Sequence, residues 1–230
     1  MTNWKLAFLI SLVIVCLFGF NANSQTSFIT ELELVGGPSL SSYWGKNRPK
    51  EQVAYWTYFF GGGAAHRFNH GLEINAKFLF ERKGNKMDYV TTLYDENNVA
   101  TTYRFMQGSE LDYLTCLLNL KYYIDKKDRF YGGVGGFFSS LQKSMTYTEA
   151  QVLQGGGTSY YYSQDGSYND FDFGISATTG YRLQFRPKLF LNIQLIGNLG
   201  LSDIVKSEIP TDGPTKCFNL SLGVGFTFKP

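Results

Sequence analysis

The two histidines of this chain, His66 and His70, are its most obvious candidates for acid–base or metal chemistry. An acyl-hydrolase that acts on lipids would need a histidine beside a serine and a carboxylate, whereas an acyltransferase would need its catalytic histidine near the external loops. No serine occurs in residues 64–71. Two histidines four residues apart could bind one metal ion on a helix, but no third ligand is evident. The segment has the composition of a turn, so we expect no catalytic residue, cofactor or metal site here.

A second set with chemical potential is formed by charged residues that alternate with apolar ones. They are Glu31, Glu33, Glu73, Lys77, Glu81, Asp112, Lys121, Asp172 and Arg182. Paired carboxylates such as Glu31 and Glu73 have the chemistry of a general acid and a general base. Because both signs of charge are present, we favour ion pairs that fill an interior, since charges removed from water need partners.

Residues 144–169 form the best candidate binding surface, because the segment is rich in glycine, serine, glutamine and tyrosine. Its tyrosines are Tyr147, Tyr160, Tyr161, Tyr162 and Tyr168. Tyrosine offers a large contact area with a polar tip, which suits recognition. Glycines 155–157 are not a phosphate loop, because no Lys-Ser/Thr pair follows and no strand-to-helix context exists. A flexible loop without a dedicated ligand is the simpler alternative.

Period-2 alternation of apolar and polar residues predicts eight strands to position these residues. They cover residues 28–43, 53–66, 71–84, 110–124, 129–143, 170–185, 189–201 and 220–228. One face carries a nearly unbroken set of Leu, Ile and Phe, and the other carries charges, Asn, Ser and Gly. Eight strands in a barrel leave an interior just wide enough for side chains, so the apolar set would overfill it. We therefore predict an all-β, eight-stranded antiparallel up-and-down transmembrane β-barrel with its apolar face toward lipid.

The connections between these strands alternate in length. The first, third, fifth and seventh span about 8, 25, 26 and 14 residues, whereas the others span about four. Membrane barrels have this asymmetry, with short periplasmic turns and longer external loops. Within residues 85–109, two β-prone stretches flank residues 95–98, which predicts a hairpin standing above the membrane.

The N-terminus has the features of a secretory signal peptide. Lys5 precedes an apolar run that ends at Phe20, and Ala22 and Ser24 supply the small residues of a cleavage site. We predict a signal peptide at residues 1–24 and an outer-membrane barrel domain at residues 25–230. No later apolar run reaches the roughly 18 residues of a membrane helix.

Charge and cysteine content narrow the function further. The formal net charge of +2 is close to neutral, which argues against a nucleic-acid-binding protein, because such a protein would carry a basic face. Two cysteines, Cys116 and Cys217, follow the signal peptide, and we place both on outward strand faces as small apolar fillers rather than a disulfide or metal pair.

The C-terminal strand resembles the assembly signal of bacterial outer-membrane β-barrels. Ser221, Gly223, Phe226 and Phe228 match its pattern of a polar residue, a glycine two residues later and two aromatics spaced by one. The last strand of a soluble sandwich is the alternative, but the signal peptide, loop lengths and charged inner face favour the membrane barrel. This strand must pair with the first one to close the sheet.

Several segments, taken in their order along the chain, resemble the PorT-like outer-membrane β-barrel family. They are residues 113–123, 131–137, 171–174 and 198–204. The resemblance extends over residues 26–230, with one departure at Thr115-Cys116, where the family carries an acid-Ile-Pro step. It implies an eight-stranded barrel in the outer membrane of a Gram-negative bacterium. The namesake of the family takes part in protein secretion and gliding.

We therefore expect a non-enzymatic integral protein of the cell outer membrane with a structural or binding role through its external loops. Expected partners are outer-membrane lipid and lipopolysaccharide, the barrel-assembly machinery and other outer-membrane or secretion proteins, but not nucleic acid. A small lipid A acyl-hydrolase or acyltransferase is the first alternative, and a narrow porin-like channel is the second.

Replacing both Phe226 and Phe228 with alanine is predicted to impair assembly, because the assembly machinery would lose both aromatic residues of its recognition signal. The amount of folded barrel in outer membranes, followed by its heat-modifiable migration on gels, checks this. A double variant at normal levels that is still heat-modifiable would contradict the assignment.

Overall fold

The computed structural model describes residues 31–46, 51–68, 71–94, 96, 98–125, 127–153, 158–164, 167–206 and 213–229. The predicted signal peptide, His70 and glycines 155–157 lie outside the described residues. None of the described residues forms a helix that is long and apolar enough to cross a membrane.

The described residues form one antiparallel sheet of ten strands. In chain order the strands are β1 (Glu31–Gly45), β2 (Gln52–Val53), β3 (Tyr55–Arg67), β4 (Leu72–Tyr94), β5 (Ala100–Tyr123), β6 (Phe130–Val152), β7 (Thr158–Gln164), β8 (Phe171–Arg186), β9 (Leu189–Gly200) and β10 (Thr215–Phe228). Eight of them follow one another around a closed ring, while β2 pairs only with β4 and β7 only with β6. The predicted eight-stranded up-and-down barrel is confirmed.

The ring closes between the first and last strands, as the sequence predicted. β1 and β10 pair antiparallel from Leu32 opposite Phe228 to Gly45 opposite Thr215. This pairing satisfies backbone groups that would otherwise be left on two open edges, which lipid does not tolerate. The barrel therefore has no edge within the membrane.

Strand β10 shows that the apolar face of the sheet points outward. Its side chains alternate between buried and exposed along the strand, with Lys216 half-buried in the exposed set. Phe226 and Phe228 are 46% and 43% exposed, whereas Ser221 and Thr227 are each 1% exposed. Because a strand places successive side chains on opposite faces, the apolar set forms an outer belt and the polar set lines the lumen.

The lumen is not entirely polar, which corrects one expectation. Six inward side chains from six strands form a buried apolar layer across the barrel. They are Val35, Phe59, Leu79, Leu117, Phe137 and Ile196. We call this set the apolar layer. Cys217 also faces inward and is buried, so its predicted outward position is wrong, whereas Cys116 lies among the outward residues of β5.

The two ends of the barrel differ. At one end, which we call the short-turn end, brief turns join β3 to β4, β5 to β6 and β8 to β9. The opposite end, which we call the extended end, is formed by the longest strands. β4, β5 and β6 are 23, 24 and 23 residues long in total. A transmembrane strand needs only about 9–11 residues, so these three strands project beyond the membrane.

We call the projecting part the extension sheet: residues 86–94, 100–110, 143–152 and 158–164 together with β2. The hairpin predicted within residues 85–109 is confirmed, with Tyr94 opposite Ala100. The long loop predicted over residues 144–169 is wrong in large part, because β6 runs to Val152 and β7 pairs back onto it.

Two glycines of β6 provide a matched test of backbone packing. A Cβ at Gly135 would overlap the carbonyl oxygen of Leu118 on β5, whereas a Cβ at Gly132 would meet no atom within 4 Å. We predict that Gly135→Val lowers the free energy of unfolding by about 1–3 kcal/mol through overpacking. Gly132→Val should leave it nearly unchanged.

Urea unfolding of the barrel in lipid vesicles, followed by heat-modifiable migration, measures both valine variants. Equal midpoints for the two would show that β5 and β6 do not approach as described.

Candidate functional site

Glu73 is the centre of an ion network at the short-turn end of the lumen. Its carboxylate accepts hydrogen bonds from Lys121 at 3.1 Å, Arg67 at 3.2 Å and the Tyr123 hydroxyl at 2.9 Å. Arg182 adds a fourth contact at 3.8 Å. Since these groups come from β3, β5 and β8 around β4, one buried acid ties together four strands.

Two further acids complete this network. Glu31 pairs with Arg182 at 2.8 Å, and Glu33 pairs with Lys77 at 2.9 Å. Glu33 also accepts a hydrogen bond from the Gln194 amide at 2.8 Å. These inward positions were predicted, and their partners confirm that the charges fill the lumen as ion pairs.

A second network lies on the other side of the apolar layer. Lys83 pairs with Asp172 at 2.9 Å and lies 3.9 Å from Glu81. The Thr115 hydroxyl donates to Glu81 at 2.7 Å. Lys83 was not among the predicted inward charges, although it continues the odd-numbered inward positions of β4 and is 1% exposed.

Asp112 does not face the lumen, which corrects its predicted position. It lies directly opposite Arg82, on the same strand face as the lipid-facing residues of β4 and β5. The Arg82 guanidinium donates to both carboxylate oxygens of Asp112, at 2.7 and 3.0 Å, and also pairs with Glu110 at 2.9 Å. Tyr55 donates to Glu110 at 2.7 Å. This outer cluster marks the level at which the apolar belt ends.

The extended end of the lumen is covered by two chain segments, residues 167–170 and 201–206, which we call the mouth cap. Asn169 N–H donates to the Ile204 carbonyl at 2.8 Å, and Ile204 N–H donates to the Thr215 carbonyl at 2.8 Å. Ile204 is fully buried in a cluster with Leu111 and Tyr113. The predicted loop after residue 201 is therefore partly folded onto the barrel.

The candidate tyrosines fall into different environments. Tyr160 and Tyr161 on β7 are 60% and 68% exposed. Tyr147 on β6 lies opposite Tyr162, and its ring covers Gly108 on β5. Tyr168 packs against the buried mouth cluster instead. The structure thus places Tyr160 and Tyr161 on an exposed surface and Tyr168 at the mouth of the lumen.

The extension sheet is held by a few contacts of its own. Tyr89 stacks on Phe105 with ring centroids 5.6 Å apart, and Phe105 lies 5.8 Å from Tyr103. On the opposite sheet face, Arg104 donates to both oxygens of Asp88 at 2.8 and 2.6 Å. That hydrogen-bonded pair lowers the pKa of Asp88.

Of the two candidate histidines, the structure describes His66. His66 lies near the short-turn end with its ring edge against Phe68, at a centroid distance of 4.6 Å. Within the part of the chain that the structure describes, no three His, Cys, Asp or Glu residues are grouped to hold a metal ion.

A closed antiparallel barrel with an apolar outer belt and a charged, filled lumen is the architecture of an outer-membrane protein. The family model described as outer membrane protein beta-barrel domain matches residues 11–206 of the chain. The chain belongs to that family and is an outer-membrane β-barrel.

Several solved structures are similar to this chain at low sequence identity. Neisserial surface protein A is 12% identical, with 86% of this chain and 97% of that chain covered and a TM-score of 0.43. OprG from Pseudomonas aeruginosa is 11% identical, with 90% and 100% covered and a TM-score of 0.40. Ail of Yersinia pestis, in complex with the heparin analogue sucrose octasulfate, is 11% identical, with 87% and 99% covered and a TM-score of 0.39. No curated protein matches the chain.

The network around Glu73 makes a stability prediction. Glu73→Gln removes the charge that Arg67, Lys121 and Arg182 share, and breaking a buried ion cluster on one side costs about 3–5 kcal/mol. We expect a loss of that size in the free energy of unfolding in lipid vesicles.

Asp88→Asn is the matched control, because it also removes one carboxylate from an ion pair, but at a partly exposed position on the extension sheet, where Arg104 is 45% exposed. Exposed pairs contribute little, so its unfolding midpoint should not change. If both variants unfold at the wild-type midpoint, the lumen charges do not hold the barrel together.

Proposed function

We propose that the protein is a non-enzymatic outer-membrane barrel whose extension sheet binds an extended segment of another envelope protein. The observation that carries this proposal is the outer edge of β7. Among the described residues, β7 pairs with β6 alone, so its second edge is available to another strand.

The composition of β7 favours strand addition. Proteins usually protect an edge strand with charged residues or proline against pairing with another chain. Residues 158–164 read Thr-Ser-Tyr-Tyr-Tyr-Ser-Gln and contain neither. A partner strand added here would gain main-chain hydrogen bonds, with specificity from alternate side chains. The exposed Tyr160 and Tyr161 would supply that specificity.

The location of the sheet indicates the kind of partner. Membrane barrels place short turns in the periplasm and long connections outside the cell, so the extension sheet would face outward. An exposed or secreted envelope protein can reach it there. The resemblance to the PorT-like family, whose namesake takes part in secretion, supports a partner from a secretion system.

The other expected partners have separate surfaces. The outer belt would contact outer-membrane lipid and, near the Arg82 cluster, lipopolysaccharide. The C-terminal strand would be read by the barrel-assembly machinery. The ion networks, apolar layer and mouth cap count against a narrow pore. The position of His66 on β3, near the short-turn end and far from the extended end, counts against a lipid-modifying enzyme.

A photo-crosslinking residue in place of Tyr161 tests the binding proposal in intact cells of the native host. We predict one discrete crosslinked product. Mass spectrometry of this product should identify a partner peptide that either carries no charged residue or alternates apolar and polar residues, as an extended segment does. Adding Tyr160→Lys should lower the yield at least fivefold, because a charge on the edge opposes strand addition.

Val90→Lys is the matched control, because it adds the same charge at an exposed position on β4, away from the β7 edge. It should leave the yield from position 161 unchanged. Equal yields from the two lysine variants, or no product at all, would contradict binding at β7.

A further inference from the structure

The apolar layer of the lumen is incomplete on two ring strands, β10, where Gly223 lies beside Val35 and Phe59, and β8. Its six members come from β1, β3, β4, β5, β6 and β9. Strand β8 contributes no apolar side chain, because its inward position at this level is Ser176, which is 4% exposed. A polar residue therefore lies where the layer would otherwise close.

Ser176 belongs to a row of paired residues that crosses six neighbouring strands. The pairs are Asn75 with Asn119, Asn119 with Gly135, Gly135 with Ser176, Ser176 with Asn198, and Asn198 with Asn219. Directly paired residues in an antiparallel sheet share a face, and these face the lumen. We call this row the polar seam.

The polar seam passes from one side of the apolar layer to the other. On β5, Asn119 lies two residues toward the short-turn end from Leu117. On β9, Asn198 lies two residues toward the extended end from Ile196. Such a climb is expected because barrel strands are tilted, so that a row of pairs spirals around the axis.

The seam joins the two ion networks. At its lower part, the Asn75 amide donates to Glu33 at 3.2 Å. At its upper part, the Asn198 amide donates to Glu81 at 3.2 Å. The seam is thus a continuous polar path between buried charges on both sides of the apolar layer.

Buried polar atoms without a protein partner are concentrated along this path. Of the eleven such side-chain atoms in the described residues, six belong to the seam. They are Asn75 Oδ1, Asn119 Oδ1 and Nδ2, Ser176 Oγ, Asn198 Oδ1 and Asn219 Nδ2. Their residues are at most 4% exposed, and leaving buried polar groups unpaired is costly.

We propose that the polar seam binds a file of water molecules that crosses the apolar layer and connects the two ion networks. The unpartnered atoms include amide donors as well as carbonyl acceptors, and water can serve both, whereas a bare cation or anion can serve only one kind. Buried water typically makes two to four hydrogen bonds to otherwise unsatisfied groups. The lumen would then be closed to solutes yet hydrated through its middle.

Water-selective NMR of the deuterated barrel, with protons only at exchangeable sites, tests the seam in lipid nanodiscs. We expect cross peaks to water at the side-chain amides of Asn119 and Asn219 in a rotating-frame experiment. Their sign should be that of direct dipolar transfer from a nearby water rather than of chemical exchange. Asn192 is the internal control, because its amide donates to Thr227 and its carbonyl accepts from Arg182. It should show no such peak.

Two variants of β8 localise the water. Ser176→Val fills the gap in the apolar layer and should reduce the Asn119 cross peak at least threefold. Thr178→Val, two residues away at another buried hydroxyl, should leave it unchanged, since the Thr178 hydroxyl already donates to the Leu195 carbonyl.

The wild-type spectrum decides the proposal even if Ser176→Val fails to fold. Absence of a water cross peak at Asn119 would overturn it. A peak of equal strength at Asn192 would also overturn it, because the lumen would then be wet throughout rather than along the seam.

Discussion

The closure of the sheet between β1 and β10 is the constraint on which the rest of this structure depends. In lipid every backbone N–H and C=O must find a partner, and only closure leaves no edge. Closing after eight strands sets a narrow bore that side chains must fill. The alternation that puts Leu220 and Phe226 toward lipid therefore also puts Ser221 and Thr227 inside.

A narrow bore explains why the interior charges act as a unit. Opposite walls lie close enough for Glu73 on β4 to reach Arg182 on β8, which is distant along the chain. Such contacts link strands that are not neighbours in the sheet, whereas the backbone ladder links only neighbours. The acids and bases must then appear together, since either sign alone would leave buried charge unpaired.

The sequence predicted the membrane-spanning part well, because lipid and lumen impose opposite polarity on alternate residues. The prediction failed where the difference in polarity between alternate residues becomes smaller. Near Asp112 the strand face leaves the apolar belt, so a charged residue there can be outward and paired with Arg82. Leu79 and Cys217 face inward because the middle and mouth of the lumen are apolar, which alternation alone does not show. In β6, residues 145–150 are half-buried on both sheet faces, so no alternation marked this part of the strand.

The same closure that protects the membrane-spanning strands cannot operate above the membrane. Strands β1, β8, β9 and β10 stop at the mouth cap, whereas β4, β5 and β6 continue, so the sheet reopens and gains two edges. On the β4 side, β2 covers part of the edge, and the Gln52 amide fixes it to the Tyr43 carbonyl at 3.1 Å. The β7 edge has no such cover among the described residues and carries no charge. Under the proposed function, a strand from a partner outside the cell would pair along this edge.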